Sequence, residues 1–229
     1  MISFTYCQIN ARRIRWVSVE SNGNPSCKRP YELGKRLEQM GRTKTAVLTA
    51  ARTQLEAGGM REFSMESLAK ASGVTRQTIH NLFGTRTELL ETLFDQIARD
   101  AGMERMREVM MSNDSGAMLD GFIAVFSNFW AKNRMLLKRI HGIAAVDPEF
   151  GEALQARNQR RRMGATRVIE RLDGGAQVRS AEDELKRIAS LVALTSFEFF
   201  DALAESMGSE EGALLQLPGL IRGALGIRG

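Results

Sequence analysis

Cysteine, histidine, proline and long apolar runs are all scarce in this chain of 229 residues. The two cysteines are Cys7 and Cys27, and the two histidines are His80 and His141. That set cannot build a four-ligand zinc cage without carboxylates, and neither a CxxC nor an HExxH spacing is present. In a reducing compartment a structural disulfide is not expected either. No metal and no cofactor is therefore expected. Four prolines against twelve methionines, with 7% aromatics, favour helices over a many-turned β-fold. The longest charge-free apolar stretch runs from Gly121 to Ala131, well short of the about 20 residues that a membrane-spanning helix needs. The N-terminal stretch lacks the apolar segment of a secretory signal and carries Arg12, Arg13 and Arg15. The expected address is the cytoplasm, with no membrane partner. Catalytic signatures are missing as well: there is no GxSxG, no Walker A run and no GxGxxG after a strand. A helical enzyme built on an aromatic cavity would lack an acid/base constellation, so no enzyme is expected.

Charge is uneven. Residues 1–90 hold 14 Lys/Arg against 7 Asp/Glu, whereas residues 91–229 hold 18 against 20. A basic first third joined to a slightly acidic remainder suggests a module that faces a polyanion and a body with another task.

Three segments follow. In residues 1–40, Ser21-Asn22-Gly23-Asn24-Pro25-Ser26 and Lys28-Arg29-Pro30 interrupt any periodicity, and the segment reads as a disordered basic arm. It could reach into a DNA minor groove, be a non-specific tail, or reflect an over-extended reading frame with Met40 the true start. Residues 41–90 turn helical. Val47, Ala50, Ala51 and Leu55 share one helix face, with Thr43 the expected N-cap and Gly58-Gly59 the stop. Ser64 caps a short second helix, Gly73 suits the turn after it, and Thr75 caps a third helix ending near Phe83. Thr85-Arg86-Thr87-Glu88 is a capping box opening a fourth helix, expected to reach about Met110. Residues 91–229 also read as helices. They include a stripe through Phe122, Phe126 and Trp130, a shorter helix near Leu136 to Ala145, a long one opened by Pro148, and a last one from Ser209 bent at Pro218. The fold class is all-α.

Helix, short turn with glycine, helix is the helix-turn-helix pattern. At about 100° per residue, Ile79, Leu82 and Phe83 fall on the inner side of the third helix. Gln77, His80 and Asn81 fall outside, flanked by Arg76 and Thr78. Such a face repels phosphate little and holds the groups that read base edges, Arg for guanine and Gln or Asn for adenine. Arg86, in the first turn of the fourth helix, could add a phosphate contact beside free N–H groups. The candidate DNA contacts are thus Ser64, Thr75, Arg76, Gln77, Thr78, His80, Asn81 and Arg86. A three-helix core with no DNA role is the bland alternative.

From Thr43 to Leu90, this stretch resembles the DNA-binding domain of TetR-family transcriptional regulators. The likeness is carried by Phe63-Ser64-Met65-Glu66-Ser67-Leu68-Ala69, Gly73-Val74-Thr75, Thr78 to Arg86, and Leu89-Leu90. His80 stands where that family usually has the Tyr of a Tyr-x-x-Phe pattern, and Leu82 where a polar or aromatic residue often precedes the Phe. Arg86 matches a Lys that commonly opens the fourth helix. The resemblance implies a C-terminal helical domain that dimerises and often encloses a small-molecule pocket.

Residues Ile188 to Leu203 give their own hint of dimerisation: eleven of sixteen are apolar, more than one face of a surface helix carries. Val192, Phe199, Leu203, Leu217 and Ile221 are the candidate interface residues, with a wholly buried helix as the alternative. Phe122, Phe126, Trp130 and His141 are the candidate lining of an effector pocket, joined by Phe129, Met135 and Phe150; plain core is the alternative for each. Arg160-Arg161-Arg162 reads as a solvated helix face rather than a basic site. The resulting expectation is a homodimeric, ligand-responsive repressor with double-stranded DNA, a second copy of itself and an unidentified small-molecule effector as partners. A helical interaction protein with a vestigial DNA face is the rival.

Overall fold

The computed structural model describes residues 30–57, 63–174 and 180–227, with side chains from residue 34 onward. Contacts divide the chain into Met1–Gln39 and Met40–Gly229. The larger unit is all-helical among the described residues.

Helix α1 spans Pro30–Glu56, so it begins well before the Thr43 that capping chemistry suggested. Pro30 is suited to a first helical position. Between it and Thr43 there is no further proline, and isolated glycines weaken a helix by about 1 kcal/mol each without ending it. Of the expected disordered arm, residues 30–40 are thus helical; residues 1–29 lie outside the described residues. Gly58 and Gly59 also lie outside them, but α1 does end at Glu56.

Helices α2 (Met65–Ser72), α3 (Arg76–Phe83) and α4 (Arg86–Asp100) follow. Val47, Ala51, Leu55, Phe63, Leu68, Ile79, Phe83, Leu89 and Leu90 close into one core beneath them. Each large apolar side chain sealed there favours folding by roughly 1.5–3 kcal/mol. α4 stops at Asp100 rather than near Met110. Gly102, at φ +80°, turns the backbone left-handed, and a 3₁₀ turn at Met103–Arg105 leads into α5 (Met106–Met110).

The body is built on α6 (Ser115–Val146), which passes through its centre and buries thirteen residues, Met118, Phe122, Phe129 and Ile140 among them. The two helices expected here are both present and meet without a loop at a kink, where Asn133 leaves helical geometry at φ −124° and ψ 17°. Asn133 is buried and donates from its side chain to the Phe129 carbonyl at 3.1 Å, the kind of local competition that bends helices. α7 (Pro148–Asp173), α9 (Phe197–Met207) and α10 (Glu210–Ala224) pack on α6, and α8 (Ala181–Leu194) packs on α7 and α10. The apolar run from Ile188 to Leu203 is not one helix. It breaks at Thr195-Ser196, where the Ser196 hydroxyl accepts from the Phe199 N–H at 3.2 Å and caps α9. α10 continues through Pro218.

Candidate nucleic-acid interface

Capping sets the path of the chain through the helix-turn-helix. Ser64 and Ser67 exchange hydrogen bonds of 3.1 Å, side chain to N–H in both directions, and start α2. Gly73 ends it at φ +70°. The Thr75 hydroxyl accepts from the Thr78 N–H at 3.1 Å and lies 2.9 Å from the Thr78 hydroxyl, so both threonines are engaged in starting α3. With Ile79 and Phe83 buried below, Arg76, Gln77, His80 and Asn81 are all turned outward.

These outward groups are tied to each other more than to the fold. Gln77 donates to the Asn81 side-chain carbonyl at 2.9 Å, which presents two amides as one rigid unit. His80 Nδ1 lies 2.8 Å from the Gly84 carbonyl. A carbonyl only accepts, so Nδ1 carries the proton and Nε2 is left as an acceptor. Arg76 reaches Glu66 at 3.5 Å with both side chains mostly exposed, a pair that solvent keeps weak. A groove of about 650 Å³ runs between Met65, Arg76, Gln77, His80, Gly84, Thr85 and Arg86.

Arg86, the expected phosphate contact, already has a partner within the chain. Its Nη1 donates to Asp147 Oδ2 at 2.7 Å, and its guanidinium lies 5.5 Å over the Phe63 ring. Asp147 also N-caps α7, accepting from the Phe150 N–H. Arg86 therefore joins the start of α4 to the start of α7. The expected capping box is present: Glu88 N–H donates to Thr85, and Thr85 N–H donates to Glu88 Oε2 at 2.8 Å. It leaves the N–H groups of Arg86 and Thr87 as the open end of the helix.

In the body the four candidate pocket residues lie along one string of rings. Phe122 meets Phe126 at 5.0 Å, Phe126 meets Trp130 at 5.9 Å, Trp130 meets Phe197 at 5.7 Å, and Phe197 meets His141 at 4.6 Å. Phe197 completes this string without having been expected in it. Phe129 and Phe150 are buried core and Met135 is exposed. His141 Nδ1 is 3.0 Å from Glu198, and this hydrogen bond holds the Glu198 carboxyl down at about 2 against the opposing effect of burial.

The interface candidates divide. Val192, Phe199 and Leu203 are half-buried, whereas Leu217 and Ile221 are fully buried in the subunit's own core. The exposed apolar residues nearby are Leu185 on α8 and Leu215 and Leu220 on α10. Sequence spacing also gave no sign of the clamps between distant segments. Arg157 on α7 grips Glu91 and Asp95 of α4 at 3.2 and 2.9 Å. Arg134 on α6 holds Asp201 at 2.6 Å and Glu210 at 3.1 Å. Arg161 is buried, against the solvated face expected for it.

Among the described residues no helix is long and apolar enough to cross a membrane. Solved structures share the fold, these three among them. A transcriptional regulator from Rhodococcus sp. Rha1 is 19% identical over 80% of this chain and 96% of its own, with a TM-score of 0.59. A TetR transcription regulator from Haloarcula marismortui is 15% identical over 80% of this chain and 95% of its own, at 0.57. NalD, the secondary repressor of the MexAB-OprM multidrug efflux pump in Pseudomonas aeruginosa, is 21% identical over 81% and 97%, at 0.59. Among curated proteins there is no match. Residues 47–93 match the family model of bacterial regulatory proteins, tetR family. Motif, fold and family match agree: residues 47–93 carry a DNA-binding domain of the tetR regulatory type, and the helical fold is shared with solved transcriptional regulators.

Proposed function

We propose that the chain is a ligand-responsive homodimeric repressor acting in the cytoplasm on a pseudo-palindromic operator. The outward face of α3 carries this reading: Arg76, Gln77, His80 and Asn81 stand exposed side by side above the groove. The coupled amides of Gln77 and Asn81 suit adenine and Arg76 suits guanine. Ser64, Thr75 and Thr78 would act from the helix starts, mainly on the backbone. Two copies would place two such helices in successive major grooves, about 34–36 Å apart.

The exposed face of α8, with Leu185, Ala189 and Val192 at i, i+4 and i+7, supports pairing of two copies, together with Leu215 of α10 and the half-buried Phe199 and Leu203 of α9. The ring string through Phe122, Phe126, Trp130 and His141 is the region where an effector would act. Arg86–Asp147 and Arg157–Glu91/Asp95 tie α4 to α7, so a shift of α7 would carry α4 and the recognition helix with it. A coupling of about 1–3 kcal/mol is typical of such links. Because Arg86 already holds Asp147, a DNA phosphate would have to share or displace that carboxylate.

A gel-shift assay with fragments of the chain's own promoter and those of adjacent genes tests the reading, alongside light scattering for mass. The expected outcome is a complex that resists random competitor DNA and a particle of two 25.5 kDa chains. Equal competition by random DNA, or a single-chain particle, would overturn it.

A further inference from the structure

The well-buried arginines of the body differ in what they face. Arg134, Arg157 and Arg187 each lie against at least one carboxylate: Asp201 and Glu210, Glu91 and Asp95, and Asp173. Arg161 does not. It is 8% exposed, and its Nη1 donates to two neutral acceptors, the Val192 carbonyl and the Thr195 hydroxyl, the latter at 3.0 Å. Its Nε is buried with no partner. The carboxylate that acts on it from nearby, Glu198, is held by His141. Burial pulls the Arg161 guanidinium below its ordinary pKa, with Glu198 opposing only in part.

A cation near the last carbonyls of α8 gains from the helix dipole, which accounts for Nη1. It does not account for the other side of the group. The Nε–Nη2 edge is the side on which guanidinium binds a carboxylate through two parallel N–H···O bonds. One aromatic ring lies over the guanidinium, with a second stacked on it. The Phe126 ring lies 6.0 Å from Arg161 Cζ, Trp130 stacks on Phe126, and Trp130 Nε1 donates to the Thr195 carbonyl at 3.1 Å.

We propose that Arg161 anchors an effector bearing one carboxylate on an apolar body, the carboxylate on the Nε–Nη2 edge and the body along the Phe122–Phe126–Trp130 string. A doubly charged phosphate would need more donors than one guanidinium edge among aromatic rings supplies. The rings touch in this structure, so an effector must part α6 from α7 to enter. α7 is also the helix that grips α4 through Arg157, one turn away from Arg161. The binding site and the lever are thus on one helix, and differential affinity for the parted state is what would shift the equilibrium.

The inference rests on the effector-responsive reading above, and its test uses no DNA, so its failure leaves the operator reading standing. Thermal unfolding of the full chain at pH 7 is followed with benzoate and octanoate, with benzamide and octanamide as uncharged counterparts, and with inorganic phosphate. A saturable rise in Tm with at least one carboxylate, and none with its amide or with phosphate, is expected. Arg161→Gln should weaken that response by roughly ten- to a hundredfold, as loss of a charge-assisted hydrogen bond does. Arg161→Lys, which keeps the charge but not the two-pronged edge, should fold and respond weakly, and decides the matter if Arg161→Gln does not fold. A wild type indifferent to both carboxylates, an equal response to the amides or to phosphate, a folded variant that responds like wild type, or failure of both variants to fold would each overturn the assignment.

Discussion

The recognition end and the body use their polar side chains in opposite ways. On α3, Gln77 bonds to Asn81 and His80 to Gly84, each four residues away, and Arg76 makes only a weak, exposed pair with Glu66. In the body, three arginines reach carboxylates sixty or more residues away: Arg134 to Asp201, Arg157 to Asp95, Arg222 to Asp120. Local bonds fix the shape of a surface without linking it to anything, which leaves it ready for an outside partner. Distant bonds fix how helices sit on one another, and their geometry is already complete within the chain.

The largest expected effect falls in the body. Phe129 is 1% exposed and packs on Phe94 and Trp130, so Phe129→Ala should lose about 3–5 kcal/mol in denaturant unfolding. A loss well under that would mean that the rings have room to collapse. Arg157→Met is next. It strands Glu91 and Asp95, whose side chains keep about a third of their exposure, and should cost about 2–3 kcal/mol, below the figure for a fully buried pair. If it left stability and the DNA response untouched, α4 and α7 would not be coupled through this side chain.

Gln77→Ala sharpens the contrast from the other side. It should weaken operator binding by about 1–3 kcal/mol and relax preference at one base pair, while unfolding shifts by no more than about 0.5 kcal/mol. A footprint and affinity identical to wild type would remove Gln77 from the contacts. Thr75→Ala removes the cap of α3 and should cost about 1 kcal/mol in stability, with DNA binding falling alongside. The smallest effect is expected for Glu198→Gln. The His141 hydrogen bond lowers the Glu198 carboxyl from an ordinary 4.5 to about 2. Its contribution is complete above pH 4.5 and fades as acid approaches pH 2, so the variant should show a flatter acid limb in that window. An unchanged limb would mean that solvent screens the pair fully.

Much of the recognition end was legible before any coordinates. The caps at Ser64, Thr75 and Thr85, the turn glycine Gly73 and the buried Ile79 and Phe83 all depend on residues within a few positions of each other, and sequence displays such relations directly. The exposed reading face followed from the same period. The start of α1 was misjudged because Thr43 has capping chemistry, yet the helix already running from Pro30 gives it no terminus to cap. Ile188 to Leu203 was misread as one helix because composition does not show where Ser196 would begin a new one. The Asp147 partner of Arg86 was not legible because it lies in a different segment. Arg161 was placed in solvent between two arginines that are indeed exposed.

Periodicity, capping residues and the helix-turn-helix spacing were enough to specify helices throughout the described residues and an outward-facing α3, because each is a local property of the backbone and its nearest side chains. Which arginines find carboxylates, which leucines face the interior, and that α7 carries both a grip on α4 and an unmatched guanidinium were decided by helix packing alone. Those outcomes depend on how residues far apart in the chain meet, and one strand of sequence carries no measure of that distance.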